Sequence, residues 1–143
     1  MVTIEPRDVR DSFVRQTFLR LLGAEATVVE PGHVVIELPF RADLCQQNGL
    51  LHAGVLTSVA DSACGYAALT LMPAGSDVLS VEFKVNLLAP GRGDRFRADA
   101  KVVRAGRTLT VCQAEVVASS ADADDVTVAL MQATMIARPA ARG

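Results

Sequence analysis

The chain has 143 residues, half of them apolar, and a formal net charge of −2 at pH 7. This length is typical of one domain, and the near-neutral charge argues against a general nucleic-acid-binding or membrane-binding surface. The absence of tryptophan and the single tyrosine argue against stacking on bases. We therefore predict one domain over residues 1–143, with an N-terminal helical segment at 1–24 and a tail at 138–143.

Two further features concern the cellular setting. The first eleven residues lack the apolar core of a signal peptide, and no apolar run reaches the roughly 20 residues that span a membrane. Cys45, Cys64 and Cys112 form an odd set with no paired spacing, which favours free thiols in a reducing cytosol. We expect a cytoplasmic protein with neither a membrane nor a nucleic acid as partner.

The N-terminal part of the chain shows helical and then extended patterns. Asp8–Leu22 carries apolar side chains at roughly helical spacing with arginines between them, which predicts one amphipathic helix. Ala26–Glu30 and His33–Pro39 flank the turn dipeptide Pro31-Gly32 and indicate a β-hairpin. The polar segment 41–49 is predicted to be a loop.

The stretch His52–Leu71 is almost wholly apolar or small and predicts a buried helix of about five turns. One carboxylate, Asp61, lies in its middle. A lone buried carboxylate is costly unless something compensates for it, so Asp61 is the first candidate for a functional residue.

Four long strands are predicted after this helix. Within Val78–Leu87, apolar and polar residues alternate from Leu79 onward, as expected for a strand with one apolar face. Arg95–Arg104 and Arg107–Ala118 flank a tight turn at Ala105-Gly106, and Val126–Ala137 is the last strand. The order implies an α+β domain in which a curved antiparallel sheet wraps around one long central helix.

This arrangement resembles the hotdog fold, and more narrowly the acyl-CoA thioesterases of the phenylacetate pathway, the PaaI type. The resemblance covers roughly residues 40–143 and depends on Gln46–Gly54 (QQNGLLHAG) followed by Asp61. Further similar segments are Ser80–Phe83, Leu88–Gly91 and Arg104–Thr108. The resemblance implies hydrolysis of an acyl- or aroyl-CoA to the free acid and CoA by a homodimer or homotetramer. It implies no metal and no cofactor beyond the coenzyme A of the substrate.

The resemblance also implies roles for single residues. Asp61 matches the catalytic carboxylate, and Gln46 matches an Asn or Gln that positions substrate or water. Ala53 stands where the family usually has a glycine whose N–H polarises the thioester carbonyl, so the N–H is kept while the added methyl is expected to narrow the acyl site. The candidate substrate-binding residues that we add are His52, Gly54, Asn48, Ser80, Gly65 and Arg107.

Helix geometry alone points to the same chemistry. A helix N-terminus presents unpaired N–H groups and a partial positive charge, which suit an oxyanion. Asp61 follows Ala53 by eight residues, about 12 Å along the axis, so the two act on one thioester only if a second subunit brings its helix alongside. We therefore predict a two-fold dimer with composite sites, in which Asp61 is the general base for water or attacks directly.

Alternatives stay open for each candidate and for the function. Asp61 could pair with an arginine across a subunit contact, and His52 could simply cap the helix. Arg107 could bind coenzyme A phosphates, yet a solvated hairpin charge fits as well, and residues 46–48 could be ordinary loop polar groups. The main alternative function is a non-catalytic acyl-CoA-binding module. A hotdog enoyl-CoA hydratase or dehydratase is disfavoured because its Asp-x-Asn-Pro-x-His pattern is absent.

Overall fold

The computed structural model describes residues 2–141; the last two residues of the predicted tail lie outside this range, as does Met1. The helices are α1 (Pro6–Arg15), α2 (Thr17–Leu22) and α3 (Ala53–Leu69), and Ala42–Leu44 forms one 3-10 turn. The strands are β1 (Glu25–Glu30), β2 (His33–Pro39), β3 (Ser76–Leu87), β4 (Arg95–Ala105), β5 (Leu109–Ser120) and β6 (Ala123–Pro139).

The six strands form one antiparallel sheet in the order β1-β2-β4-β5-β6-β3. Helix α3 lies across one face of this curved sheet and contacts strands β2 to β6. The predicted α+β fold, with a curved sheet around one long helix, is confirmed. Strands β1 and β3 are the two edges, so β3 has hydrogen-bonding groups on one side that no other strand of residues 2–141 pairs with.

Small side chains allow α3 to lie close to the sheet. Ala60, Ala63, Ala67 and Ala68 are fully buried, as close packing of a helix backbone on a sheet requires. The helix ends where the Thr70 hydroxyl donates to the carbonyl of Ala67 and accepts the amide of Gly32, which ties its last turn to the β1–β2 turn. No helix among residues 2–141 has the length and hydropathy to cross a membrane.

The prediction of one continuous helix over Asp8–Leu22 is wrong, because the chain breaks at Gln16. Gln16 is extended (ψ 101°), and its amide returns to the carbonyl of Phe13. In a continuous helix, the residues three and four positions after Phe13 would lie on the same buried face, and both are polar. The break turns α2 so that Leu19 and Leu22 are buried instead, and Phe18 is left half-exposed.

The strand predicted over Val78–Leu87 is present within β3, but the prediction that it has one apolar face is wrong. Ser80 pairs with Met135 and Glu82 with Thr134, so Val81 is an extra residue that forms a β-bulge. The bulge reverses which residues face the helix: directly opposite residues share a face of the sheet, so Ser80 lies on the side of buried Met135.

Strand β6 is longer than predicted: it begins at Ala123 instead of Val126 and runs through Pro139, so Arg138 and Pro139 belong to the strand and not to the predicted tail. The other elements lie close to their predicted positions. Strands β1 and β2 form the predicted hairpin, with a small register shift between Ala26 and Val28. The predicted loop 41–49 contains the short 3-10 turn and Cys45, which forms an isolated β-bridge with Leu51. The β4–β5 turn closes through the Gly106 amide, which donates to the carbonyl of Leu109 at 2.8 Å.

The three cysteines differ in accessibility, and this predicts their reactivity. All are free thiols; Cys64 and Cys112 are buried and Cys45 is half-buried. Burial raises the pKa of Cys112 to about 11 and also raises the pKa of Cys64. Because the thiolate is the reactive form, we expect a disulfide reagent at pH 8 to modify one thiol per folded chain and three after unfolding.

The matched control for this prediction is Cys45→Ser. The folded variant should show no fast-reacting thiol, measured as thionitrobenzoate release. Fast reaction of two or more thiols in the folded protein would contradict the burial of Cys64 on α3 and Cys112 on β5.

Candidate active site

The carboxylate of Asp61 is held by a side chain from the bulged strand. Ser80 Oγ donates to Asp61 Oδ1 at 2.7 Å, and β-bulges commonly re-aim a side chain in this way. Asp61 is half-buried on α3, and among residues 2–141 neither an ion pair nor a hydrogen bond occupies its other oxygen. One carboxylate oxygen is therefore fixed while the other remains available to a ligand or water.

Asp61 opens onto a cleft of about 330 Å³ between α1, α3 and β3. We call it the Asp61 cleft. Gly65, one of the predicted substrate-binding residues, also lines it. The lining residues are Ser12, Gln16, Asp61, Ser62, Gly65, Tyr66, Leu69, Asp77, Val78, Leu79, Ser80 and Met135.

The first turn of α3 leaves a single backbone amide unpaired. The Gly54 N–H donates to Nδ1 of His52 at 2.8 Å, and the amides of Val55 and Leu56 donate to the His52 carbonyl. The Ala53 amide has no acceptor among residues 2–141. Of the four orphan donors that a helix start presents, only that of Ala53 remains for a ligand.

His52 is therefore the N-cap of α3, and its ring is used in folding. Accepting a hydrogen bond at Nδ1 places the proton of the neutral imidazole on Nε2. The ring lies so close to Gly54 that a Cβ there would be 2.9 Å from Nδ1, which explains the glycine in the third position of His-Ala-Gly. The amide of Gly54, a predicted substrate-binding residue, is occupied by this cap.

The loop before α3 is folded around Gln46. Its Oε1 accepts the amides of Asn48 and Leu50, so only the side-chain nitrogen is left to contact a ligand. Asn48 is exposed at the tip of this loop.

A second cleft, of about 400 Å³, lies at the N-terminus of α3, and we call it the Ala53 cleft. Its floor is fixed by Gly91, whose carbonyl accepts the amide of Leu51, and where a Cβ would lie 2.7 Å from the Leu51 carbonyl oxygen. The lining residues are Gln46, Leu50, Leu51, Ala53, Leu56, Leu87, Leu88, Ala89, Pro90 and Gly91.

Within one chain the predicted catalytic residues thus lie in two groups. Ala53 and Gln46 line one cleft, whereas Asp61 and Ser80 meet in the other. Eight residues of helix, about 12 Å, separate Ala53 from Asp61 along the axis. Arg107 lies in the exposed β4–β5 turn and lines neither cleft.

Among the lining residues that the sequence analysis missed are Tyr66, Ser12 and Gln16, whose side chains contact one another. Tyr66 lies five residues beyond Asp61 on α3, and its hydroxyl contacts Ser12 Oγ at 3.3 Å and Gln16 Nε2 at 3.1 Å. The only signal in the sequence was a single tyrosine within an apolar helix. Its two partners are more than 45 residues away and have no recognisable motif.

Sequence comparison assigns this site to a family. The sequence model of the thioesterase superfamily matches residues 48–122, which include the first turn of α3, Asp61 and Ser80. The chain belongs to the thioesterase superfamily, and its fold is the hotdog fold of that family.

Solved structures agree with this assignment. A thioesterase family protein from Silicibacter pomeroyi is 47% identical, with a TM-score of 0.90 over 93% of this chain and 97% of that one. The PaaI protein of Escherichia coli shares the fold, with a TM-score of 0.81 at 22% identity over 94% of this chain and 93% of that one. The predicted resemblance to PaaI-type hotdog thioesterases is confirmed.

Relatives of known name support a hydrolase. A Saccharolobus solfataricus protein with a provisional esterase name is 33% identical over 96 residues, 67% of this chain and 68% of that protein. The medium/long-chain acyl-CoA thioesterase YigI of Escherichia coli K12 is 29% identical over 81 residues, 48% of this chain and 52% of that protein.

The cap on α3 leads to a stability prediction. Replacing His52 by Ala removes the acceptor of the Gly54 amide and should lower the free energy of unfolding by about 1 kcal/mol. His52→Asn keeps an N-cap acceptor and should stay within a few tenths of a kcal/mol of the parent. Urea unfolding followed by circular dichroism measures both, and equal stabilities of the two variants would contradict the cap.

Proposed function

We propose that the protein hydrolyses an acyl- or aroyl-CoA thioester to the free acid and CoA, at two equivalent sites shared between the subunits of a homodimer. The observation that carries this proposal is the separation just described: the one unpaired amide and the carboxylate lie in different clefts of each chain. Two helices α3 side by side and antiparallel bring the Ala53 cleft of one subunit next to the Asp61 cleft of the other. The family assignment and the name of YigI support the same substrate class.

The edge strand β3 supports the dimer. It is 12 residues long, and its exposed apolar side chains include Leu79, Val81, Phe83 and Leu87. An exposed edge of this length and composition is a template for pairing with another strand. Pairing β3 with its own copy about a two-fold axis covers these side chains and places the two α3 helices side by side. A tetramer built from two such dimers fits the proposal equally.

The proposed chemistry uses few groups. The thioester carbonyl accepts the Ala53 N–H of one subunit, which stabilises the negative charge that develops on its oxygen. Asp61 of the other subunit removes a proton from the attacking water, or attacks the carbonyl carbon itself to form an anhydride that water then opens. Collapse of the tetrahedral intermediate breaks the C–S bond and expels CoA as a thiolate. Because a thiol pKa is about 8.5, this leaving group needs no strong acid and no metal.

The other site residues position these groups. Ser80 fixes one oxygen of Asp61 and leaves the second to face the water or the carbonyl. The side-chain nitrogen of Gln46 is the remaining donor in the Ala53 cleft and orients water or the acyl group. A reducing cytosol is the proposed compartment, consistent with three free cysteines.

The Ala53 amide can be removed with little disturbance of the fold. Proline is favoured at the first position of a helix, and the extended His52 (ψ 135°) before it suits a proline. Ala53→Pro should lower kcat for a hydrolysed acyl-CoA by about 100- to 1,000-fold, the usual effect of losing one oxyanion donor. Thiol release with a chromogenic disulfide measures this.

The control for this variant is Ala53→Val, which adds similar bulk but keeps the N–H. It should retain most of kcat while raising KM. If Ala53→Val loses as much kcat as Ala53→Pro, bulk and not the lost donor is responsible, and the proposed role of the amide is wrong.

A mixing experiment tests the shared site directly. Asp61→Asn alone should lose about 100- to 10,000-fold in activity, while Asp124→Asn, on the exposed end of β6, should lose none. Asp61→Asn and Ala53→Pro chains, unfolded together and refolded, should recover about a quarter of wild-type activity. Half of the dimers are then mixed, and each mixed dimer has one intact site of two.

The same assay separates the alternative functions. No recovery on mixing, with each variant folded and dimeric, would place both groups in one chain's site and contradict the shared arrangement. Binding of acyl-CoA without release of CoA by the wild-type protein would instead favour a non-catalytic acyl-CoA-binding module.

A further inference from the structure

The outward face of α3 carries a hydroxyl that this chain leaves unpaired. Thr57 is half-buried on the helix, and its Oγ1 neither donates nor accepts a hydrogen bond among residues 2–141. Helical serines and threonines often bond back to the carbonyl four positions earlier, as Ser58 does to Gly54 at 2.6 Å. The Thr57 hydroxyl is therefore available to a group outside the chain.

Thr57 lies midway between the two groups of the proposed chemistry. It follows Ala53 by four residues and precedes Asp61 by four, about 6 Å along the helix axis in each direction. At 3.6 residues per turn, each step of four residues also rotates the side chain by about 40°. The three residues therefore form one row on α3, and Thr57 is its centre both along and around the helix.

This centre fixes where a two-fold axis passes. In the proposed dimer, Ala53 of one subunit lies opposite Asp61 of the other, and the symmetry requires the reverse pair as well. Counting inward from both ends of the row, Thr57 of one subunit then lies opposite Thr57 of the other. The axis therefore passes between the two copies of this residue.

Strand β3 places the axis at the same level. Ser80 of this strand holds Asp61, and Leu87 lines the Ala53 cleft, so β3 runs beside the row in the opposite direction. Phe83, near the midpoint of that stretch, pairs with a buried residue of β6 and thus lies on the sheet face toward α3. It is nevertheless 43% exposed. A second β3 about the same axis covers this ring with its own copy.

A residue on a two-fold axis must be compatible with its own copy. Two carboxylates or two ammonium groups repel each other in that position. A hydroxyl is both donor and acceptor, so it can pair with a second hydroxyl. The unpaired hydroxyl of Thr57 at the centre of the row meets this requirement.

We propose that Thr57 is a positioning residue: its two copies meet on the two-fold axis, and their contact holds the Ala53 amide of each subunit opposite Asp61 of the other. The inference rests on the proposed shared site. Because one contact on the axis aligns both sites, a change at Thr57 affects the two sites of a dimer equally. A change at Ala53 or Asp61 instead affects one site for each altered chain.

Opposite charges at position 57 test this contact. Thr57→Asp and Thr57→Lys each place two like charges on the axis, which should raise the dimer Kd by about 100-fold. Mixing the two variants pairs a carboxylate with an ammonium group in each heterodimer. Dimers and most of the thioesterase activity should then return, because both chains keep Ala53 and Asp61. Sedimentation over a dilution series measures the Kd, and thiol release measures activity at a concentration between the wild-type and variant Kd values.

The matched control uses Gln113, which is exposed on β5. Gln113→Asp and Gln113→Lys should keep the wild-type dimer Kd and activity, and should gain nothing on mixing. Thr57→Ser keeps the hydroxyl and should stay close to the wild type in both measurements.

The two measurements separate this inference from the proposed function. If Thr57→Asp and Thr57→Lys each dimerise as tightly as the wild type, or if they stay monomeric when mixed, the contact at Thr57 is wrong, whether or not the wild type hydrolyses acyl-CoA. If dimers form only on mixing, in a protein whose wild type releases no CoA, the contact is kept and the thioesterase is rejected.

Discussion

The site depends on one unpaired backbone amide at the start of a buried helix. The first turn of α3 satisfies its amides from within, through the ring and carbonyl of His52, except at Ala53. An amide donor costs nothing in side-chain entropy and cannot rotate away, so it suits the stabilisation of charge on a carbonyl oxygen. Its partner in the proposed chemistry, Asp61, is fixed about two helical turns away on the same rigid element. That fixed separation is what divides the proposed site between two chains.

Small irregularities in the backbone aim the remaining groups. The bulge in β3 turns Ser80 toward α3, where it holds Asp61. The break at Gln16 turns the chain toward Tyr66. In both places the local conformation departs from the regular element, and the departure puts a polar side chain against α3. The buried alanines of α3 let the sheet lie close to the backbone of this helix.

The sequence predicted those elements of the structure that are marked by a regular pattern of residues. A long apolar segment, a Pro-Gly hairpin and regular alternation over ten or more residues are signals that many residues share, so single exceptions do not alter them. The separation of Ala53 from Asp61 along the helix also followed from spacing, because helix rise is constant.

The irregularities could not be predicted in the same way. Leu79–Leu87 alternates apolar and polar residues throughout, and only its pairing with β6 shows that Val81 is extra. The helix at Asp8–Leu22 ends early because Leu19 and Leu22 gain burial by turning, which is a tertiary effect. The hydrogen bond from the Gly54 amide to the His52 ring depends on the side-chain rotamer of His52, which cannot be inferred from the spacing of residues in the sequence.

The bulge in β3 has a consequence for how this chain tolerates insertions and deletions. Strand β3 has one residue more than its ladder with β6 needs. Deleting Val81 would leave Ser80 opposite Met135 and Glu82 opposite Thr134, so the residues on both sides of the deletion would keep their faces and only the bulge would be lost. Deleting Lys84 from the regular part of the strand would instead turn the residues on one side of it to the opposite face. Strand β3 therefore has a position at which the loss of one residue is compatible with the serine remaining on the face of its carboxylate.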